Sequence, residues 1–380
     1  MGLGIRDPGG ETRGWVGAGR AWLGVALTLA YLAWGAGGAT GAGAGGGDGV
    51  DFRAEVVAPG AATPFVHAPT IAVLPSGVLV VAWYGARHHR GRDAAIYGAR
   101  SRDGGRRWSP PIAWADSLGL PDANPAIFRD PQDRLWLFYG TRLVGWAVAW
   151  VRYRRSDDGG HTWDSPRLLT WMPGYLPRAK PIVLADSAWL LPVYHEEWGS
   201  RFLRSADGGA SWTWSDRVVS DPLNIQPAAV ELAPGRLLAL MRNRGAQGLA
   251  WAARSADGGR TWEAPTLTHL RNPDAGLDLV RLRGGALAVA YNDSASRRHA
   301  LAVALSEDDG RSWPAQVLLE GCGVGPTASY PAMAEGPDGA LHVVYASDNQ
   351  AIRYARLDPR RIAGAGRPPA RCEPPAAASR

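Results

Sequence analysis

The chain has 380 residues, 46% hydrophobic and 20% charged, so it is long and apolar enough to bury a core and does not read as a disordered polymer. Its formal charge is +6, but the C-terminal stretch alone carries Arg360, Arg361, Arg367, Arg371 and Arg380 against Asp358 and Glu373. No basic stripe interleaved with stacking aromatics occurs, so no nucleic-acid partner is expected. The two cysteines, Cys322 and Cys372, exclude a zinc or redox motif by number and spacing; in an oxidising compartment they would pin the C-terminal tail to the last part of the fold, the alternative being two free thiols.

In chain order, the first element is the uncharged, mostly apolar run AWLGVALTLAYLAW (residues 21–34), preceded by Arg6, Arg13 and Arg20 and followed by GAGGATGAGAGGG. Basic residues, a short apolar stretch and small residues in that order predict an export signal, and the run is short for a full membrane span. Whether the segment is cleaved or kept as an N-terminal membrane anchor is open, because counting on through Ala39 nearly reaches spanning length. The domain reading is residues 1–47 as signal or anchor plus a Gly-rich linker, 48–362 as one large domain, and 363–380 as a flexible Arg/Pro/Ala-rich tail.

Residues 51–58 (DFRAEVVA) read as a strand, and then one pattern recurs. An opening strand and a turn precede a strand rich in aliphatic and aromatic residues: GVLVVAWYG, DRLWLFYG, SAWLLPVYH, GRLLALMRN, GALAVAYND and GALHVVYAS. Five of these six are followed by a third strand and a copy of S-x-D-x-G-x-x-W, beginning at Ser101, Ser156, Ser205, Ser255 and Ser306. The steps are 55, 49, 50 and 51 residues, the repeat length of a four-stranded propeller blade. The sixth unit leads to AIRYARL and has no hairpin of its own. A propeller must close its ring to cover strand edges, so the N-terminal strand 51–58 is expected to supply the missing outer strand. The fold expected is therefore all-β, a six-bladed β-propeller with blades at 64–120, 121–170, 171–220, 221–270, 271–325 and 326–360 plus 51–58.

The repeated octapeptide is the Asp box, and its residues read as structural. Ser and Asp side chains bond the backbone of their own turn, Gly takes a conformation closed to other residues, and Trp packs between blades. The box carboxylates are therefore poor catalytic candidates, and the rest of the chain must be searched for chemistry. One residue stands out by composition: Lys180, in LPRAKPIVL, is the single lysine among 41 basic residues. An ammonium kept where every other cation is a guanidinium marks a candidate for a role that a planar group fills poorly.

Together with the Asp boxes, five segments resemble the sialidase (neuraminidase) superfamily, in its bacterial BNR-repeat branch, over residues 51–360. That family builds its site from an arginine triad gripping a carboxylate, an aspartic acid as general acid/base, and a tyrosine nucleophile assisted by a glutamate. VHAPTIAVLPSG resembles the family's opening Y-R-I-P segment and places His67 at the first triad arginine. AWYGARHHRGRDAAIYGARS resembles the stretch ending in the acid/base aspartate, which makes Arg87 and Asp93 the matching residues. NIQPAAVELAPGRLLALMRN resembles the segment with the glutamate and second arginine, so Arg242 takes the arginine's place and Gln226 the glutamate's. In AYNDSASRRHALAVALS, Arg298 matches the third arginine, with Arg297 as its rival, and in SYPAMAEGPDGALHVVYAS the nucleophile's position is Tyr330.

Around these, Asn124, Asn292, Asp293, Arg178, Lys180, His195, Glu196 and Glu197 fall near strand ends. Of them, Asn124, Asn292, Lys180 and Glu196 are expected to bind substrate with Arg87, Arg242 and Arg298, and Glu196 is placed to take over the missing glutamate's work. The resemblance implies an exported exo-glycosidase acting on a terminal acidic sugar of a glycan, with no metal or organic cofactor. Two readings stand beside it: a uronic-acid glycan lyase or rhamnosidase-like hydrolase using His67 and Tyr330 for proton transfer, and a non-catalytic glycan-binding propeller, which the amide at Gln226 favours.

Overall fold

The computed structural model describes residues 50–57, 63–88, 91–321 and 326–365, whose regular elements are strands grouped in six antiparallel sheets and one helix, Pro359–Ala365. The sheets are the blades of a β-propeller. Blade I is Phe65–Val73, Leu79–Ala86, Ala95–Ser101 and Ile112–Ala115, from the axis outward. Blade II runs through Asp122–Arg129, Leu135–Val144, Val148–Ser156 and Arg167–Leu168. Blade IV is Asn224–Ala233, Arg236–Asn243, Leu249–Ser255 and Thr266–Arg271, and blade V is Asp278–Arg281, Leu287–Asn292, Leu301–Ser306 and Ala315–Glu320. Blade III differs in one respect: its innermost strand is broken into Tyr175–Pro177 and Ile182–Val183, both paired with Trp189–His195.

Blade VI closes the ring. Ala328–Glu335, Leu341–Ser347 and Ala351–Leu357 are completed by Val50–Val57, antiparallel to Ala351–Leu357 from Val50↔Leu357 to Val57↔Ile352. Arg356 and Arg361 both pair with Asp51, fixing the register of the added strand. The helix Pro359–Ala365 then buries Ile362 in the same core as Val50 and Leu357, so ordered structure extends three residues into the segment expected to be tail. The N-terminal apolar run, Cys322, Cys372 and the rest of the tail lie outside the described residues. Among the described residues no helix is long and apolar enough to cross a membrane.

Each Asp box forms the turn that leaves the third strand of its blade. In the first, Ser101 Oγ accepts the Gly105 amide at 2.8 Å and donates to Asp103 at 2.9 Å, and Asp103 accepts the Arg107 amide at 2.9 Å. Gly105 has φ +96, and a Cβ there would lie 2.3 Å from the Tyr354 ring, so no other residue fits that turn. The box tryptophan packs backward onto the preceding blade: Trp108 on Tyr354 of blade VI, Trp163 on Trp114 of blade I, Trp262 on Phe202 of blade III. The motif thus spaces the blades as well as closing the hairpins.

The innermost strands carry the feature that makes the site. In blades I, II, IV and VI the register with the second strand slips between His67 and Thr70, Ala123 and Ala126, Ile225 and Ala228, and Ser329 and Ala332. Within each slip one residue has left-handed backbone, Ala68 (φ 48), Asn124 (φ 50), Gln226 (φ 54) and Tyr330 (φ 55), and each is followed by proline. A bulge leaves backbone groups without ladder partners, and proline, having no N–H, leaves one fewer donor to satisfy. Left-handed backbone at a non-glycine residue costs on the order of 1–3 kcal/mol, so four copies at one level of the axis mark a functional feature held by the surrounding blades.

Candidate active site at the propeller axis

The bulges bring Asn124, Gln226 and Tyr330 to one level of the axis, and the second strands supply the residues they meet. Ile225, beside Gln226, pairs with Arg242; Leu176, at the broken strand of blade III, pairs with Tyr194; His67 pairs with Tyr84. Arg242 is the centre of the network. Its Nε donates to Asp274 Oδ1 at 2.6 Å, and its Nη1 donates to the Tyr330 hydroxyl at 2.8 Å and to Gln226 Oε1 at 3.2 Å. Arg298 donates from Nη2 to the Asp274 carbonyl and holds its guanidinium 5.7 Å from the Tyr330 ring centroid. The Tyr194 hydroxyl accepts from Asn124 Nδ2 at 2.8 Å and from Gln226 Nε2 at 3.4 Å. The His67 ring lies 4.1 Å from the Tyr330 ring, centroid to centroid.

Three buried phenols share this space and differ in electrostatics. Burial pushes Tyr84 and Tyr194 well above the usual tyrosine range, so both remain neutral donors and acceptors. Burial also acts to raise Tyr330, but Arg242 and Arg298, with smaller contributions from the Gln226 amide and Arg178, outweigh it and bring Tyr330 below its ordinary value. That is the shift a nucleophilic phenol needs. A guanidinium pair from blades IV and V beside it suits a ligand carboxylate, which two such groups grip in a fixed plane.

Of the residues expected from sequence, Tyr330, Gln226, Arg242, Arg298, His67 and Asn124 converge, and Arg298 rather than Arg297 faces the tyrosine. Asp93 and Arg87 lie in the loop after the second strand of blade I. They form an ion pair at 2.8 Å, with Arg87 77% exposed. Through that hydrogen bond Arg87 lowers the Asp93 pKa below the ordinary carboxylate value.

Three of the expected residues are bonded within the protein. Lys180 does not join the Tyr330 cluster: Nζ donates to Asp278 at 3.0 Å and to the Met333 carbonyl, while Asp278 also accepts the Met333 amide at 2.7 Å. It is a brace between blades III, V and VI, and it lines a cavity of about 430 Å³ reached from further along the inner strands, with Ile127, Val230 and Val280. Glu196 pairs its carboxylate with Arg244, and its charge acts on the neighbouring Tyr194. Asn292 donates to the Ala328 carbonyl at 2.8 Å and locks blade V to blade VI. Asp293 accepts from Gln316 at 2.9 Å, and His195 stacks on Trp198 at 4.0 Å, so neither meets Tyr330.

Tyr84, Tyr194 and Asp274 were missed, and Arg178 was noted without a role. Tyr84 and Tyr194 occupy in blades I and III the register position that Arg242 occupies in blade IV, so aligning the ends of the second strands would have found them. The X-Pro step repeated at Ala68, Asn124, Gln226 and Tyr330 was a second unused signal. Arg178 carried none, since it lies where the inner strand of blade III is interrupted, nor did Asp274, in the loop before Asp278–Arg281.

A ring of Asp-box blades around an axial tyrosine and arginine cluster defines a sialidase-type propeller. Residues 77–343 match the BNR repeat-like domain. The chain is 25% identical to a sialidase of Micromonospora viridifaciens over 348 residues, 78% of this chain and 52% of that protein. It is 25% identical to a sialidase of Bacteroides fragilis over 269 residues, 58% and 49% respectively, so it spans about half the length of these curated relatives. A solved Hadza microbial sialidase superposes with a TM-score of 0.72 at 19% identity, covering 82% of this chain and 69% of that one, a likeness of fold. The chain belongs to the BNR repeat-like family of the sialidase superfamily.

Proposed function

We propose that the protein is a sialidase-type exo-glycosidase acting on a terminal acidic sugar of a glycan. The observation that carries this reading is the hydrogen bond from Arg242 to the Tyr330 hydroxyl, with Arg298 on the ring of the same tyrosine. Arg242 and Arg298 grip the sugar carboxylate. Tyr330 Oη, its proton lost to solvent, attacks the anomeric carbon as the bond to the leaving oxygen breaks, and Asp93 gives that oxygen its proton. Water then attacks the anomeric carbon and gives a proton to Asp93 as the bond to Tyr330 Oη breaks and the phenolate is released. Export is part of the proposal and rests on the apolar run behind Arg6, Arg13 and Arg20.

A second reading rests on the 4.1 Å contact of His67 with Tyr330, a pair suited to proton transfer in a uronate lyase. The full chain incubated with a sialoside and, separately, with a uronate oligomer tests both. Free sialic acid supports the glycosidase, and a new double bond without sialic acid release replaces it with the lyase. Binding of acidic glycans without turnover, in the native protein and in Tyr330→Phe alike, makes the propeller a lectin. Culture fractionation tests export.

A further inference from the structure

Arg178 is a buried axial guanidinium that neither reading uses. It occupies the gap in the inner strand of blade III, is 2% exposed, and donates to the Pro331 carbonyl at 2.9 Å and the Pro69 carbonyl at 3.4 Å. Those carbonyls belong to the prolines after Tyr330 and Ala68, so the two bulges seat it. Its guanidinium carbon lies 5.2 Å from the Tyr330 ring centroid. Among the described residues no carboxylate is within ion-pair distance of it; the acid nearest in charge, Asp278, is already engaged by Lys180. A buried cation without its own counter-charge is costly, and the cost falls when a neighbour becomes an anion.

We propose that Arg178 is a positioning residue that keeps Tyr330 in its ionised, nucleophilic form, replacing from blade III the carboxylate base that Gln226 does not provide. The proposal rests on the reading of Tyr330 as nucleophile. The groups facing Tyr330 are Arg178 from blade III, Arg242 and Gln226 from blade IV, Arg298 from blade V, His67 and Tyr84 from blade I, and Tyr194 from blade III, with Asp274 behind Arg242. Three of these groups are guanidiniums and one is a carboxylate, while Glu196 acts on Tyr194 and Asp278 on Arg178 from beyond them. Arg242 and Arg298 are the ones a substrate carboxylate neutralises on binding. Arg178, sealed beneath two carbonyls, cannot reach the substrate, so its charge stays with Tyr330 at the moment of attack. The phenolic proton passes to solvent before substrate arrives, and the attack itself needs no base.

The test is an ultraviolet difference titration of the phenolate band in the full chain, native against Tyr330→Phe, repeated in the Arg178→Met and Arg178→Lys backgrounds. The native difference is expected to show one phenolate forming below the pH of ordinary tyrosine. Arg178→Met moves that titration up by about one pH unit or more, and Arg178→Lys restores part of it. With a sialoside, the acid limb of kcat/KM moves with the titration while KM changes little. Tyr330 titrating in the native chain at the ordinary tyrosine pH overturns the proposal, whether or not Arg178→Met folds. An unmoved titration in a folded Arg178→Met does the same. Neither result touches the glycosidase reading, which fails separately if Tyr330→Phe turns over sialoside as fast as the native chain.

Discussion

Arg242 Nη1 lies 2.8 Å from the Tyr330 hydroxyl although 88 residues separate the two, one at the end of a second strand in blade IV and the other on a bulge in blade VI. Asp274 holds Arg242 from the opposite side at 2.6 Å, so the guanidinium reaches Tyr330 in a single fixed orientation.

Arg242→Ala removes a largely buried charged group from both the phenol and the substrate carboxylate. Losing such a partner costs about 2 kcal/mol or more, so kcat/KM for an acidic glycoside should fall about 30-fold or further. Asp274→Asn, which loosens the orientation and keeps the cation, should produce a smaller loss. Steady-state kinetics on both variants check the order.

Gln226→Glu restores the side chain of the family's pattern but also adds a negative charge beside Arg242. If guanidinium groups alone ionise Tyr330, the new charge moves its titration up by about one pH unit and activity does not rise. A gain in kcat at neutral pH would instead show that the site works with a carboxylate base.

Arg87→Ala frees Asp93 from the partner that depresses its pKa. A general acid that is too acidic is seldom protonated, so with Asp93 as proton donor the variant should be several-fold more active near neutral pH. An unchanged rate would leave Asp93 and Arg87 as a surface ion pair, worth about 1 kcal/mol or less.

The Asp boxes set an acid limit on stability. Hydroxyl and amide donors of their own turns hold Asp207, Asp257 and Asp308 at about 2, below the ordinary 3.8. The folded state therefore binds fewer protons than the unfolded chain in that window, and the stabilisation is complete above pH 3.8 and is lost as pH falls toward 2. Thermal unfolding followed from about pH 6 down to about pH 2 should show the loss in that interval. Asp257→Asn should make it shallower and leave neutral-pH turnover unchanged.

Deleting the strand Val50–Val57 exposes the edge of Ala351–Leu357 and removes Val50, Val56 and Val57 from the core. The truncated chain should aggregate or melt several degrees lower, as light scattering and calorimetry would show.

The blade count, the hairpins and the closing strand were legible in the sequence because each depends on residues close together in the chain. An Asp box satisfies its own turn, and a sixth unit without one announces that an outer strand must come from elsewhere. Register within the repeats also placed Tyr330, Gln226, Arg242 and Arg298. It did not give the partners of Lys180, Glu196 and Asn292, because Asp278, Arg244 and the Ala328 carbonyl come from other blades or neighbouring loops.

What the sequence by itself determined was therefore the propeller and the identity of its axial side chains, since periodic spacing and local turns act within about fifty residues. Only the tertiary structure decided which of those side chains meet. The level of the bulges, the break in blade III that seats Arg178 beneath Tyr330, and the choice of Arg298 over Arg297 arise from packing six blades around one axis, where residues far apart in the chain are forced within hydrogen-bond distance and charge must be balanced without water.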